Sequence, residues 1–310
     1  MRTDDPARAD DPARADDPTR ADDLTRTDDP TRADAGGRVA AGGRKALDAA
    51  AVRAAVVRPD GLWRAVEVTE VTGSTNADLL ALAAGGAPEG LVLAAEQQSA
   101  GRGRMGRAWV APPRAALTFS LLLRPQAVPR ARHGWLPLLA GLATAEAVRA
   151  TTAVDARLKW PNDVLAGPGK LGGILAEAAA GAVVVGIGLN VSTEPDELPP
   201  RGPGSLTATS LRIAGSASLD RGVLLAAVLT AVERRYRAWT EARGDPERSG
   251  LRADYTRLCS TIGQRIRVEL PGGGPLTGLA TGIDADGRLL VRTRSGADLP
   301  VAAGDVVHLR

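Results

Sequence analysis

The run AVVVGIGLNV, residues 182–191, constrains the fold more than any other segment of the chain. Its β-branched residues favour a strand, and neighbouring positions are both apolar, so both faces of that strand must be covered. We therefore predict a central strand of a sheet with helices packed on it. Its glycines do not form a phosphate loop, because Pro195 and Pro199 follow where a helix would be needed. We expect them to thin the strand, so that Asn190 can reach a ligand.

Strand and helix patterns alternate irregularly over residues 45–259, and several strand pairs look like hairpins. This favours an α+β fold, a mixed β-sheet with packed helices, over a doubly wound one. Predicted strands are 63–71, 90–98, 116–125, 170–179, 182–191 and two short strands within 156–166 joined by a turn. Predicted helices are 45–57, 74–86, 135–150 and 221–239.

The two ends of the chain differ from this middle part. Residues 260–310 contain short β runs with turns at Gly272–Gly274, Asp286–Gly287 and Ser295–Gly296, which predicts a small all-β barrel. Residues 1–44 begin with a six-residue repeat of the type RADDPA, in which proline blocks a helix and almost nothing apolar can be buried. We predict a disordered, low-complexity segment there and a larger α+β domain at 45–259.

Charge and cysteine content narrow the classes of function. The net charge is +3, but residues 1–35 hold six Arg and eleven Asp, so they carry −5 and the rest carries +8. The mildly basic remainder of the chain suits an anionic ligand or an acidic protein partner, and its charge is too small to indicate DNA binding by itself. Cys259 is the only cysteine, which excludes an intramolecular disulfide and fits a reducing compartment. Without an apolar run of about 18 residues or a secretion signal, we expect a cytoplasmic protein with no membrane span.

The segment AGRGRMGRAWV, residues 100–110, alternates glycines with Arg102, Arg104 and Arg107 and ends near Trp109. Arginine binds phosphate and carboxylate through its fork of donors, and glycine lets the backbone approach an anion. A loop that closes on a small phosphorylated ligand is the favoured interpretation. A nucleic-acid contact and a simple solvated loop remain alternatives.

Two further motifs concentrate polar residues between strands. LKWPNDVL, residues 158–165, brings Lys159, Asn162 and Asp163 to one turn, which either caps its own backbone or faces a nucleotide and its Mg²⁺. GKLGGILAE, residues 169–177, sets Lys170 before the bare backbone of Gly172–Gly173. That lysine is either a charge brought to a phosphate or a surface residue beside a packing contact.

Taken in order, GSTNADLL, AAEQQSAGRGRMGRAW, LKWPNDVL, KLGGILAE, VGIGLNV and a terminal AGDVVHL resemble the biotin protein ligase family over about residues 60–310. The resemblance implies a mixed sheet with helices, as in class II synthetases, and an SH3-like C-terminal barrel. It also implies the reaction of biotin with ATP to biotinyl-5′-adenylate and pyrophosphate. The biotin would then pass to one lysine of the biotin carboxyl carrier domain of an acetyl-CoA or acyl-CoA carboxylase.

The resemblance implies roles for particular residues. The biotin site would comprise Ser74, Thr75, Asn76, Gln98, Gly101, Arg102, Gly103, Arg104 and Lys170. The wider ligand site would add Arg107, Trp109 (stacked on adenine), Lys159, Asn162, Gly172, Gly173 and Asn190 (on the nucleotide). Catalysis would fall to Lys170, Arg102, Arg104 and Asp163, the last orienting or deprotonating the acceptor amine. Mg²⁺ would be carried by ATP near Asn162 or Asp163, without a direct protein ligand.

Two departures and two alternatives accompany this assignment. Met105 stands where the family often has a basic residue, which lowers the charge of the loop by one. Residues 1–45 are a proline-broken repeat and cannot form the helix-turn-helix of some members, so we predict no specific DNA binding. A lipoate–protein ligase is the alternative enzyme, and a nucleic-acid-binding module is the alternative outside enzymes. The resemblance leaves monomer and homodimer both open.

Overall fold

A computed structural model describes residues 43–202, 206–270 and 274–309. Within these ranges, none of the helices has the length and apolar character needed to cross a membrane. The predicted disorder of the N-terminal repeat therefore falls almost wholly outside the described residues, as does most of the turn predicted at Gly272–Gly274. Residues 43–310 form one compact unit by their internal contacts, and the domain boundary at 259/260 stays a prediction.

The larger sheet has seven strands in the order β1-β2-β3-β7-β6-β5-β4. Only β1 and β2 run parallel, and the other neighbours are antiparallel, so the sheet is mixed as predicted. The strands are β1 Ala65–Thr72, β2 Leu91–Gln98, β3 Ala116–Leu123, β4 Ala156–Lys159, β5 Asp163–Ala166, β6 Gly169–Ala179 and β7 Ala182–Asn190. The apolar strand β7 lies in the middle of the seven, which confirms the prediction made from its sequence.

Helices cover both faces of this sheet. They are α1 Ala49–Val56, α2 Thr75–Ala84, α3 Trp135–Thr152, α4 Arg221–Glu241 and α5 Leu251–Leu258. The helix α2 packs Leu79 on Leu122 and Val184. The adjacent positions Leu121 and Val185 point to the opposite face, into the main core with α1, α3 and α4.

Two details of the helix prediction were wrong. The first helix begins at Ala49 instead of Lys45, because the Asp48 side chain accepts from the Ala51 N–H and caps it there. The short helix α5 was not predicted. It starts after Gly250, which has no side chain to cap the helix, so its sequence lacks the usual start signal.

The C-terminal part forms a five-stranded antiparallel sheet in the order β11-β10-β9-β8-β12. Its strands are β8 Arg265–Glu269, β9 Leu276–Ile283, β10 Leu289–Arg292, β11 Asp298–Val301 and β12 Asp305–His308. The described residues after 260 contain no α-helix, so the prediction of a small all-β part is confirmed. The Trp160 indole N–H donates to the Gly287 carbonyl at 3.3 Å, which ties this sheet to the turn between β4 and β5 of the larger one.

Candidate active site

Glycines of the central strand make room for two side chains from other segments. The Gly186 position touches Asn76 so closely that a Cβ there would overlap its amide. A Cβ on Gly188 would come within 2.5 Å of the Trp109 indole. The indole N–H of Trp109 also points to Thr118 Oγ1 at 3.4 Å. The missing side chains at Gly186 and Gly188 thus leave space for Asn76 and Trp109 to lie against the strand, a role that was not predicted from the sequence.

Neutral polar groups cluster where α2 begins above β2 and β3. Ser74 is the N-cap of α2. Gln98 Oε1 accepts from the backbone N–H of Thr75 at 2.8 Å, and Thr75 Oγ1 lies 2.7 Å from Ser120 Oγ. Ser120 Oγ in turn donates to Asn76 Oδ1 at 2.6 Å. Such a group of hydroxyls and amides can recognise a compact polar ring by hydrogen bonds without adding charge.

Charged groups collect on the same face nearer one edge of the sheet, over β4, β5 and β6. Asp163 Oδ1 lies 2.6 Å from Lys170 Nζ, and Asp163 Oδ2 lies 3.7 Å from Lys159 Nζ. The backbone of Lys170 is fixed as well, since its N–H donates to the Thr207 carbonyl at 2.8 Å. Burial lowers the pKa of Lys159. A cation that has already lost part of its hydration favours an arriving anion, so this cluster suits a carboxylate or a phosphate.

The Gly/Arg loop, residues 100–107, is folded onto this charged cluster. Arg104 donates to Asn162 Oδ1 at 3.0 Å, and burial lowers the pKa of Arg104. The Gly103 N–H donates to the Arg107 carbonyl at 2.7 Å, which closes a tight turn around Met105. Met105 itself has a φ of 55° and an exposed side chain. Because this side chain is exposed, a cation there would add one charge to the outer surface of the loop.

The two other arginines of the loop form ion pairs at its ends. Arg102 lies 3.4 Å from Glu177 Oε1 on β6. Arg107 is paired with Asp305, the first residue of β12 in the C-terminal sheet. The loop is therefore held from both sides, by the large sheet and by the small one.

These elements enclose a cavity of about 700 Å³. It brings together nearly all the predicted site residues, namely Ser74, Thr75, Asn76, Gln98, Arg102, Gly103, Arg104, Arg107, Trp109, Lys159, Asn162, Asp163, Lys170, Gly173 and Asn190. The amide of Asn190 is already used in part, since it donates to the Thr209 carbonyl at 2.9 Å. The small sheet completes the wall with Glu269, Asp305, Val306 and Val307.

Two predicted residues, Gly101 and Gly172, do not line this cavity. A Cβ at Gly101 would meet the Gln98 amide nitrogen at 2.7 Å, and a Cβ at Gly172 would meet Leu189 Cδ2 at 2.6 Å. Both glycines thus permit close packing behind the cavity wall.

Sequence reasoning missed several residues of the site. Ser120 is fully buried beneath the polar cluster, and Glu177 joins the cluster to the loop. Strand alternation gives a usable signal for Glu177, because Gly173, Leu175 and Glu177 occupy one face of β6. Asp305 could not have been found this way, since its partner Arg107 is distant in sequence.

The described residues contain no group of three or more acidic, histidine or cysteine side chains that could hold a metal ion. The side chains predicted near Mg²⁺ are also engaged by cations. Both Asp163 oxygens face lysines, and Asn162 Oδ1 accepts from Arg104. In this arrangement the donor set does not fit a magnesium ion held by the protein.

Comparisons with known proteins agree with this fold. Residues 68–194 match the model of the biotin/lipoate A/B protein ligase family, and residues 261–309 match that of the biotin protein ligase C-terminal domain. A biotin–[acetyl-CoA-carboxylase] ligase of Mycobacterium tuberculosis is 47% identical over 268 residues, covering 85% of this chain and 96% of the relative. The bifunctional ligase/repressor BirA of Escherichia coli is 33% identical over 246 residues, covering 78% of this chain and 73% of the relative.

Solved structures show the same relationship. The biotin protein ligase of Aquifex aeolicus in complex with biotin and ATP has a TM-score of 0.63 and 28% identity, over 79% of this chain and 98% of that one. Fold, cavity and the first family model define a ligase of the biotin/lipoate class. The chain belongs to the biotin protein ligase family of enzymes, since it also carries that family's C-terminal domain.

Proposed function

We propose that this protein activates biotin with ATP to biotinyl-5′-adenylate and then transfers the biotin to a lysine of the carrier domain of an acetyl-CoA or acyl-CoA carboxylase. One observation carries the proposal: a single cavity holds a neutral polar cluster at one side and a desolvated cationic cluster at the other. Biotin has the same polarity, with a neutral ureido ring at one end and a carboxylate at the other. The names of the relatives support the same substrates.

In the first half-reaction the biotin carboxylate oxygen attacks the α-phosphorus of ATP, and pyrophosphate leaves with the bonding electron pair. Two anions must meet, so their repulsion is an electrostatic part of the barrier. Lys170, Arg102 and Arg104 would offset that repulsion and stabilise the charge that develops in the transition state. Asp163 would hold Lys170 in position through the contact of 2.6 Å.

In the second half-reaction the carrier lysine attacks the acyl carbon, an amide bond forms and AMP leaves. The attacking nitrogen must lose a proton. Asp163, whose carboxylate forms an ion pair with Lys170, would orient that amine or accept its proton. The Gly/Arg loop would cover the adenylate and exclude water, because a mixed anhydride hydrolyses readily. Trp109 would stack on adenine and Asn190 would bind the nucleotide.

The remaining assignments belong to the same proposal. Mg²⁺ would enter as the counterion of the β- and γ-phosphates of ATP, since the residues around Asp163 do not fit a protein-held ion. The cytoplasm is the proposed compartment, because the carrier domain and ATP would meet the enzyme there. The absence of specific DNA binding stays a prediction, and residues 1–42, on which it depends, lie outside the described structure.

A comparison of biotin with lipoate as substrates tests the proposed function directly. Purified protein with ATP and Mg²⁺ should release pyrophosphate in the presence of biotin and retain biotinyl-adenylate, detected by mass spectrometry. Lipoate, offered in parallel, should give little product, because the neutral polar cluster has no counterpart in its dithiolane ring. Product from lipoate alone would overturn the substrate, and no product from either acid would overturn the enzyme assignment.

Replacing Arg104 should impair both formation and retention of the adenylate. Arg104→Ala removes a desolvated cation and the bond to Asn162, and we expect a loss of about 10²-fold in the rate of adenylate formation. The measurement is a single-turnover assay with filtration to separate bound from released adenylate. Arg53→Ala, on the exposed face of α1, is the matched control and should behave as wild type. Equal rates in both variants would remove Arg104 from the mechanism.

A further inference from the structure

We propose that Glu177 is a positioning residue that sets the direction of a hydrogen-bonded chain under the ureido site and joins that chain to the Gly/Arg loop. The inference rests on the proposed function, because it assigns the ureido ring of biotin to the neutral polar cluster. Glu177 ends the KLGGILAE motif, but no role for it was predicted from the sequence, and the chemistry of adenylation does not call for a carboxylate there. It is the geometry around Asn76 that points to Glu177.

Glu177 determines which way the Asn76 amide faces. Asn76 Nδ2 lies 2.7 Å from Glu177 Oε2 and 3.2 Å from the Leu175 carbonyl oxygen. Both neighbours are acceptors, so the amide nitrogen must face them and both of its protons are used. The Asn76 oxygen is thereby turned toward β3. The bare backbone of Gly186 leaves the amide room to lie across the strands in this orientation.

The orientation of Asn76 then fixes the donor and acceptor roles of Ser120 and Thr75. Because Asn76 presents an oxygen, Ser120 must donate to it, over the contact of 2.6 Å. Ser120 has only one hydroxyl proton, so Thr75 must donate to Ser120 across their contact of 2.7 Å. The single proton of Thr75 is thus also used. Three successive bonds point toward the Glu177 carboxylate, and their alignment lets them polarise one another.

The cavity end of the chain consequently presents an acceptor. The Thr75 hydroxyl also lies 3.1 Å from Gln98 Oε1, so its single proton is shared between Ser120 and Gln98, and Thr75 Oγ1 keeps a free lone pair. The Gln98 oxygen already accepts from the backbone N–H of Thr75 as well, which holds Thr75 in place. A cyclic urea carries two ring N–H donors, and the free lone pair of Thr75 suits one of them. With the chain reversed, Thr75 would offer a proton where the urea needs an acceptor.

Glu177 also contacts the loop. Its second oxygen, Oε1, lies 3.4 Å from Arg102 Nη2. One carboxylate therefore holds the polar cluster through Asn76 and the loop through Arg102. Its side chain is 27% exposed, so it is not needed to fill the core.

Binding of biotin without ATP, followed by calorimetry, tests the inference apart from catalysis. Glu177→Gln keeps an acceptor for Asn76 and should bind biotin within about 3-fold of wild type. Glu177→Leu removes the nearer of the two acceptors and leaves only the Leu175 carbonyl at 3.2 Å to orient the Asn76 amide, so we expect binding to be about 10-fold weaker or more. Glu70→Leu, which removes the exposed partner of Arg114, is the matched control and should leave the affinity unchanged.

A biotin analogue methylated at a ureido nitrogen separates positioning from general disturbance. If Glu177 sets the donor and acceptor pattern, methylation of the ureido nitrogen should weaken binding less in Glu177→Leu than in wild type. In the variant the Thr75 acceptor is no longer oriented toward the N–H that methylation removes. Purely additive losses, or a Glu177→Leu variant that binds biotin like wild type, would overturn the inference. Ser120→Ala interrupts the same chain and gives the same test if Glu177→Leu does not fold. A folded wild-type protein that binds no biotin would overturn the proposed function instead.

Discussion

Lys170→Ala should lose about 10³-fold in the rate of adenylate formation, at the upper end of what one preorganised charge contributes. The Lys170 ammonium lies 2.6 Å from Asp163, and its backbone is bonded to Thr207 and Thr209. Both constraints fix it before substrates arrive, so little reorganisation is needed during the reaction. The variant also leaves Asp163 with Lys159 at 3.7 Å as its remaining cation, and this carboxylate would repel the reacting anions.

Single-turnover formation of biotinyl-adenylate at saturating biotin and ATP is the measurement for Lys170→Ala. Lys45→Ala is the matched control, because Lys45 is exposed and uses only its backbone carbonyl, which accepts from Arg221. We expect the control to react as wild type. A folded Lys170→Ala protein within 10-fold of wild type would show that the reaction does not depend on this charge.

Glu96→Gln should lower the free energy of unfolding by roughly 3 kcal/mol, because it leaves a buried arginine without its counter-charge. Glu96 and Arg221 are 2.6 Å apart, and their side chains are only 3% and 6% exposed. Glu96 also accepts from the Leu47 N–H, and Arg221 donates to the carbonyl of Lys45. The pair thus fastens the segment before α1 to the sheet and to the start of α4.

Chemical denaturation followed by circular dichroism measures the effect of Glu96→Gln. Glu70→Gln is the matched control, since it weakens the exposed pair with Arg114 by the same substitution and should cost less than about 1 kcal/mol. Similar small losses in both variants would mean that the backbone carbonyls of Lys45 and Ala116, to which Arg221 donates, compensate its charge sufficiently.

The parts of this fold that follow from local patterns could be predicted from the sequence. The sequence offers Ser74 or Thr75 as the helix cap, and the cap is Ser74. The doubly apolar run at 182–191 is the middle strand. The parts that depend on contacts between distant segments could not. Ser120 looks like an ordinary strand residue until α2 sets Asn76 and Thr75 beside it. Glycines 186 and 188 likewise have no visible purpose before the side chains above them are known.

The ion pair between Arg107 and Asp305 has a consequence for exchanging parts between relatives. A chimera that takes its C-terminal sheet from another family member would inherit a foreign partner for the loop. In such a hybrid the adenylate should escape faster. Positions 107 and 305 should therefore be transplanted together, as one inherited unit that joins the loop to the C-terminal sheet.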